Sequence, residues 1–185
     1  MDNGASSYRR YLDGDDNGLS EIVGEYKDGL ILYINQFVNN FCVAEELTED
    51  TFFRLITKKP KFSGKSSFRS WLFAIGRNIA VDYIRHNSKL MNTPIEQMDN
   101  YISDGKILEQ AYITEESKRA LHSALAKLIP DYRRVLWLVY FEDFSNREAA
   151  AAMKKSGRQI KNLLYRAKIS LKAELEKEGF IYENL

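Results

Sequence analysis

SGRQIKNLLYRAKISLK, residues 156–172, carries five positive charges and no negative one in a chain of 185 residues whose formal net charge is only +1. Ile160, Leu163, Leu164, Ala167 and Leu171 recur at three- and four-residue steps, which gathers them on one face of a helix. Arg158, Lys161, Asn162, Tyr165, Lys168 and Lys172 fall on or beside the opposite face. A solvated helix face usually mixes Lys with Glu, because opposite charges four residues apart stabilise a helix and like charges oppose it. No acid occurs between 149 and 173. Two readings stay open from this stretch alone: ordinary solvated surface, or a face that meets phosphates.

The residues just before it form a pattern. Ser145 can cap a short helix, NREAAAAM, whose alanines permit close approach of a neighbouring backbone, and the break KKSG separates that helix from the basic one. Upstream, helical periodicity runs from Ile107 to Ile129, and Pro130 opens the apolar segment DYRRVLWLVYFED. The second half is therefore predicted to hold four helices ending in a helix, a tight turn and a basic helix, the outline of a helix-turn-helix.

The first half is helical too. Leu19–Asn40 keeps a helical period weakened by Gly24 and Gly29, and a second helix runs from about Val43 to Thr57, ended by Pro60. KKPKFSGKSS is a basic loop, after which Ser66 or Ser67 can cap a helix reaching about His86. Its apolar face is Phe68, Trp71, Leu72, Ile75, Ile79, Tyr83 and Ile84, which makes Trp71 a core residue and leaves Arg69 undecided. Residues 87–105 are polar, contain Pro and Gly, and read as a flexible linker. The expected fold class is all-α: two small helical bundles over 1–86 and 106–185, joined by that linker, the second containing the helix-turn-helix.

Composition bounds the function. No run of about 18 apolar residues exists to insert in a membrane, and the polar N-terminus lacks the apolar core of a secretory signal, so a cytoplasmic location is expected. The single cysteine, Cys42, beside Phe41 and Val43, reads as a buried thiol in a reducing compartment. Charge is distributed unevenly. Residues 1–50 hold 3 basic and 11 acidic side chains, residues 51–91 hold 9 and 1, residues 92–152 hold 7 and 10, and residues 153–185 hold 8 and 4. Two basic blocks separated by acidic ones suggest two contacts with a polyanion and an acidic surface for another partner.

Three sequence stretches carry a resemblance. AEELTEDTFFRLI, KFSGKSSFRSWLFAIGRNIAVDYIR and ALAKLIPDYRRVLWLVYFEDFSNREAAAAMKKSGRQIKNLLYRAK, in this order and spacing, resemble the extracytoplasmic-function group of the bacterial sigma-70 family, the detachable promoter-recognition subunits of RNA polymerase. The resemblance covers about residues 15–175 and implies that the front bundle is like region 2 and the rear bundle like region 4. It implies a protein that directs core polymerase to −35/−10 promoters and helps to open them. The implied partners are promoter DNA, the clamp helices of the polymerase largest subunit, the flap of the second-largest subunit and an anti-sigma factor, with the free chain monomeric and no cofactor required.

The resemblance also implies roles for residues. At the −35 element, Ser156, Arg158, Gln159, Lys161 and Asn162 would lie nearest base edges or phosphates, and Arg166 and Lys168 would hold phosphates. At the −10 element, Phe62, Ser63, Lys65 and Ser66 would form a loop that, with Asn78, receives a flipped base, and Arg77 and Arg85 would follow the strand. Glu45, Glu46, Thr48, Glu49, Asp50, Thr51 and Phe52 would dock on polymerase. The same carboxylates, paired four apart, also suit a divalent metal or plain solvation, though no further oxygen ligand or histidine accompanies them. Departures from the family pattern are Lys154 where Gly is common, Lys155 where an apolar residue follows, Leu163 where Arg is frequent and Arg158 where Gly is frequent.

Competing readings are a stand-alone helix-turn-helix regulator, a nucleic-acid-processing enzyme and a helical adaptor using its acidic face. The enzyme reading lacks acids in the basic block, where Asp82 stands alone between 51 and 91. His86 and His122 have no Cys companions for zinc, no glycine-rich phosphate loop occurs, and no nucleophile-base pair is legible, so no catalytic role is expected.

Overall fold

A computed structural model describes residues 3–91 and 115–177. Every described element is helical: α1 (Asn3–Leu12), α2 (Asn17–Val38), α3 (Phe41–Lys58), α4 (Phe68–Met91), α5 (Glu115–Ala126), α6 (Pro130–Leu136), a π-helical turn (Trp137–Phe141), α7 (Asn146–Met153) and α8 (Gly157–Lys177). None of the described helices is long and apolar enough to cross a membrane.

Local chemistry sets the boundaries. Asn39, with φ of 50°, ends α2 in the left-handed region, and the Asn40 side chain then accepts from the Val43 amide at 3.2 Å to start α3. Ser67 Oγ accepts from the Ser70 amide at 3.3 Å at the start of α4. Ser145 and Glu148 form a reciprocal capping box on α7. The α4 helix continues past His86 to Met91, so the first residues of the expected linker are its last turn; residues 92–105 lie outside the described residues, as does the start of the helix expected from Ile107.

The sequence reading missed α1, whose Tyr8 and Tyr11 are buried. Gly18 lets α1 and α2 cross closely, since a Cβ there would stand 2.2 Å from the Ser7 carbonyl oxygen. The Tyr8 hydroxyl donates to the Pro60 carbonyl at 2.8 Å, and burial, with Tyr11 nearby, pushes its phenol up to about 12. Ser7 and Arg10 both bind Glu21 of α2.

The front bundle packs α1, α3 and α4 around α2, burying Ile22, Leu30, Tyr33, Ile34, Leu55, Phe68, Leu72 and Phe73. The rear bundle packs α5, α6 and α7 against α8 around Val135, Leu138, Ala149, Ala152, Met153 and Ile160. Each large aliphatic side chain so enclosed contributes about 1.5–3 kcal/mol. Cys42 is exposed, not buried as expected: it sits in the first turn of α3, on the solvent side of Ala44. Trp71 is half-buried among Tyr8, Phe62 and Phe68.

The two bundles are packed against each other, α4 on α7 and α2 on α6, and their cores are continuous. The small alanine face of α7 permits this approach. Phe73 meets Phe144 with ring centres 5.1 Å apart, and Arg69 lies 4.6 Å over the Phe144 ring while pairing with Glu142 at 2.5 Å. On the other side, the Arg134 guanidinium lies 3.9 Å from the centre of the Phe37 ring and donates to the Gln36 carbonyl at 3.2 Å.

Candidate nucleic-acid interface

The basic face of α8 is built by a sequence that buries one side and charges the other. Ile160 and Ala167 are enclosed, Leu163, Leu164 and Leu171 lean on the core, and Arg158, Gln159, Lys161, Asn162, Arg166, Lys168 and Lys172 are exposed. Ser156 and Gln159 also fix the start of the helix: Gln159 Oε1 accepts from the Ser156 amide at 2.7 Å, and the Gln159 amide donates to Ser156 Oγ at 3.2 Å. Those two side chains therefore have a capping duty that spacing alone did not reveal. The Lys168 ammonium lies 5.2 Å over the Tyr140 ring, which draws it toward the π-helical turn.

The turn before α8 is compact although its left-handed position is Lys154 and not a glycine. Lys154 takes a φ of 54° and its amide donates to α7 carbonyls, closing the helix as a left-handed cap. Lys155 pairs with Asp131 at 2.9 Å, which ties the turn to α6.

The second basic region surrounds the loop before α4. Ser63 and Lys65 are exposed, Ser66 is half-buried, and Phe62 rests edge-on against Phe68, 5.6 Å between centres. Arg77 and Asn78 are half-buried on α4, and Arg85 is exposed and 3.8 Å from Asp82. The loop faces the rear bundle: Lys65, Ser66 and Ser67 share a surface cleft of about 330 Å³ with Ser145, Arg147 and Glu148. Burial pushes the Glu148 carboxyl up, but hydrogen bonds from Ser145 and Ser67 outweigh it and leave the group below its ordinary range. Glu142 goes the other way, raised by burial more than the Arg69 charge lowers it.

On α3, Glu45, Glu46, Glu49 and Asp50 are exposed as a docking surface requires. Thr48, Thr51 and Phe52 are not: all three are buried, Thr48 and Thr51 donating to the carbonyls of Ala44 at 2.7 Å and Leu47 at 2.8 Å. This corrects their sequence-based placement on the surface. The helical period puts them on the face turned toward α2 and α4, and the apolar residues that do stand among the acids are Phe53 and Ile56, 61% and 42% exposed. Among the described residues no three His, Cys, Asp or Glu side chains gather to hold a metal ion.

Arg69, Arg134, Glu142 and Phe144 were not assigned a joint role from sequence. Their partners lie 73 and 98 residues away in the chain, and only the packing of the bundles brings them together.

Residues 22–90 match the family model of sigma-70 region 2, and residues 118–171 match that of sigma-70 region 4. The chain is 32% identical over 133 residues to the ECF RNA polymerase sigma factor SigC of Mycobacterium tuberculosis, covering 72% of this chain and 70% of that one. It is 24% identical over 162 residues to the RNA polymerase sigma factor YlaC of Bacillus subtilis, covering 87% and 94%. In fold it is similar to the sigma factor RpoE of Bartonella quintana, solved in complex with the anti-sigma factor NepR, with a TM-score of 0.67, 23% identity, and coverage of 85% and 96%.

Proposed function

The chain belongs to the extracytoplasmic-function group of the sigma-70 family, and from that premise we propose that it joins core RNA polymerase in the cytoplasm, directs it to promoters with −35 and −10 elements and assists their opening. The observation that carries the reading is the exposed positive face of α8 from Arg158 to Lys168, a stretch without an acid, presented behind a compact turn at a helix-turn-helix. Arg158, Lys161 and Asn162, on the first exposed turns, suit base edges in a major groove, while Arg166 and Lys168 suit phosphates. The loop bearing Ser63, Lys65 and Ser66 and the polar side of α4 at Arg77, Asn78 and Arg85 suit the −10 strand, where stacking and charge act together.

The acids Glu45, Glu46, Glu49 and Asp50, with the exposed Phe53, make a surface suited to a basic, partly apolar partner, and the clamp helices of polymerase are that partner in this reading. An anti-sigma factor is a further expected partner, because a sigma factor of similar fold was solved with one.

The test is reconstitution. The purified chain is mixed with core polymerase and a promoter library, and the transcripts are sequenced. A shared pair of upstream elements is expected; start sites without one would defeat the proposal.

A further inference from the structure

Between the two bundles lies a cavity of about 340 Å³ that neither the α8 face nor the acidic face uses. Its charged lining is Arg77 and Arg85 from the front bundle, and Asp131, Arg134 and Lys155 from the rear. Four cations therefore line it with one carboxylate, which is divided between Lys155 at 2.9 Å and Arg134 at 3.6 Å, while Arg85 stands 3.8 Å from Asp82 on its own helix. Apolar walls come from Phe37, Val38, Val81, Ile84 and Met153. Tyr33 also lines the cavity; its side chain is fully enclosed, and its hydroxyl has no hydrogen-bond partner among the described residues. Burial raises its phenol, and the charges of Arg77, Arg134 and Asp131 act on it to a lesser degree.

An enclosed hydroxyl left without a partner costs about 1–3 kcal/mol, and an acceptor supplied by a ligand would remove that cost. Guanidinium groups present a planar fork of donors suited to phosphate oxygens. The volume lies at the lower end of the range of small-molecule sites, which combine apolar walls with a few placed polar groups.

We propose that this cavity binds a small phosphate-bearing molecule of nucleotide size, its anionic group held by Arg77, Lys155 and the Tyr33 hydroxyl and its body against the apolar walls. Because the lining is drawn from both bundles, such a ligand binds the packed arrangement and stabilises it by mass action. Resting on the promoter reading above, occupancy also withholds Arg77 and Arg85 from the −10 strand.

The experiment is calorimetric titration of the full chain, without polymerase or DNA, using inorganic pyrophosphate and ATP at physiological ionic strength. Both are expected to bind at one site, ATP about tenfold more tightly because the walls meet its base. Arg77→Gln and Lys155→Gln should each weaken ATP at least ~10-fold, the range of charge-assisted hydrogen bonds, and Tyr33→Phe ~3- to 10-fold with no loss of thermal stability. Arg166→Gln, on the α8 face, should leave binding unchanged. No binding by either probe, equal weakening by Arg166→Gln, or equal affinity for the two probes overturns the proposal. Binding of an oligo-aspartate peptide in their place, sensitive to the same cavity variants, also overturns it and marks the cleft as a protein-docking site. Since no promoter is present, failure of the promoter reading leaves this result readable.

Discussion

Arg69 of the front bundle and Glu142 of the rear bundle form an ion pair at 2.5 Å across the contact between them, with Glu142 seated on Gly29 of α2. The glycine that weakens the helical pattern of α2 is thus the floor of an inter-bundle contact: a Cβ at position 29 would lie 2.6 Å from Glu142 Oε2. The loop before α4 and the first helix of the helix-turn-helix also face each other in this arrangement. On the proposed promoter reading, a DNA strand that engages this loop is expected to require the bundles to part.

Gly29→Ala is expected to displace the Glu142 carboxylate and weaken the packing of the bundles by about 1–3 kcal/mol, as overfilling a tight contact does. Arg69→Ala should act in the same direction, with a cost between the ~1 kcal/mol of an exposed pair and the ~3–5 kcal/mol of a fully enclosed one, since Glu142 is nearly covered and Arg69 is not. The exposed Cys42 offers a label on α3; paired with a second label introduced as Lys172→Cys, it reports the separation of the bundles by energy transfer. An unchanged distance distribution in both variants would show that the pair does not hold the bundles together.

Closure should depend on pH through Glu142. Its carboxyl is raised by burial in the packed state despite Arg69, and Asp143 beside it acts in the same direction as burial. The packed state therefore holds a proton more firmly than a separated state in which Glu142 is in water. Closure is strongest below the ordinary carboxylate value and weakens as pH rises through the raised value. The same pair of labels followed across mildly acid pH should show the bundles separating as pH increases, and Glu142→Gln should flatten the response.

Lys161→Ala should weaken binding of the chain to duplex DNA and reduce the slope of log affinity against log salt by about 1, the signature of one lost phosphate contact. Arg158→Ala, nearer the start of α8, should relax sequence preference at one base position at a cost of ~1–3 kcal/mol if it reads a guanine. Filter binding at several salt concentrations separates these outcomes; identical slopes would remove Lys161 from the interface.

Asn78→Ala should impair opening of the −10 element while sparing assembly with polymerase. Permanganate footprinting of unpaired thymines checks the first and co-elution checks the second. Unimpaired opening would remove Asn78 from the pocket.

Lys154→Gly should stabilise the isolated chain by about 0.5–1 kcal/mol, because Lys154 holds a left-handed φ of 54° that glycine adopts without a Cβ penalty. Thermal unfolding monitored by circular dichroism measures this directly.

Much of this was legible in the sequence, for identifiable reasons. The α8 face, the turn before it and the Ser145 cap are local features, each set by residues within one or two helical turns, and periodicity recovers such features well. Thr48, Thr51 and Phe52 were misplaced because a helix with acids on one side was read as a single surface; the threonines satisfy their hydroxyls on the preceding turn and so enter the core at little cost. Cys42 was misplaced for the opposite reason, its apolar neighbours being taken as the measure of its own burial. The α1 helix was overlooked because NGASSYRRYL is polar on average, and only its two tyrosines and its small residues, placed against α2 and α4, give it a reason to be there. The inter-bundle contacts had no local signature at all.

The hydrogen bond from Tyr8 to Pro60 has a practical corollary. The first helix buttresses the loop before α4, so the leading dozen residues are no neutral handle for purification tags or trimmed clones. A shortened version that still folds would be expected to grip promoters with a slacker loop, and its defect would masquerade as one of recognition when it is one of scaffolding.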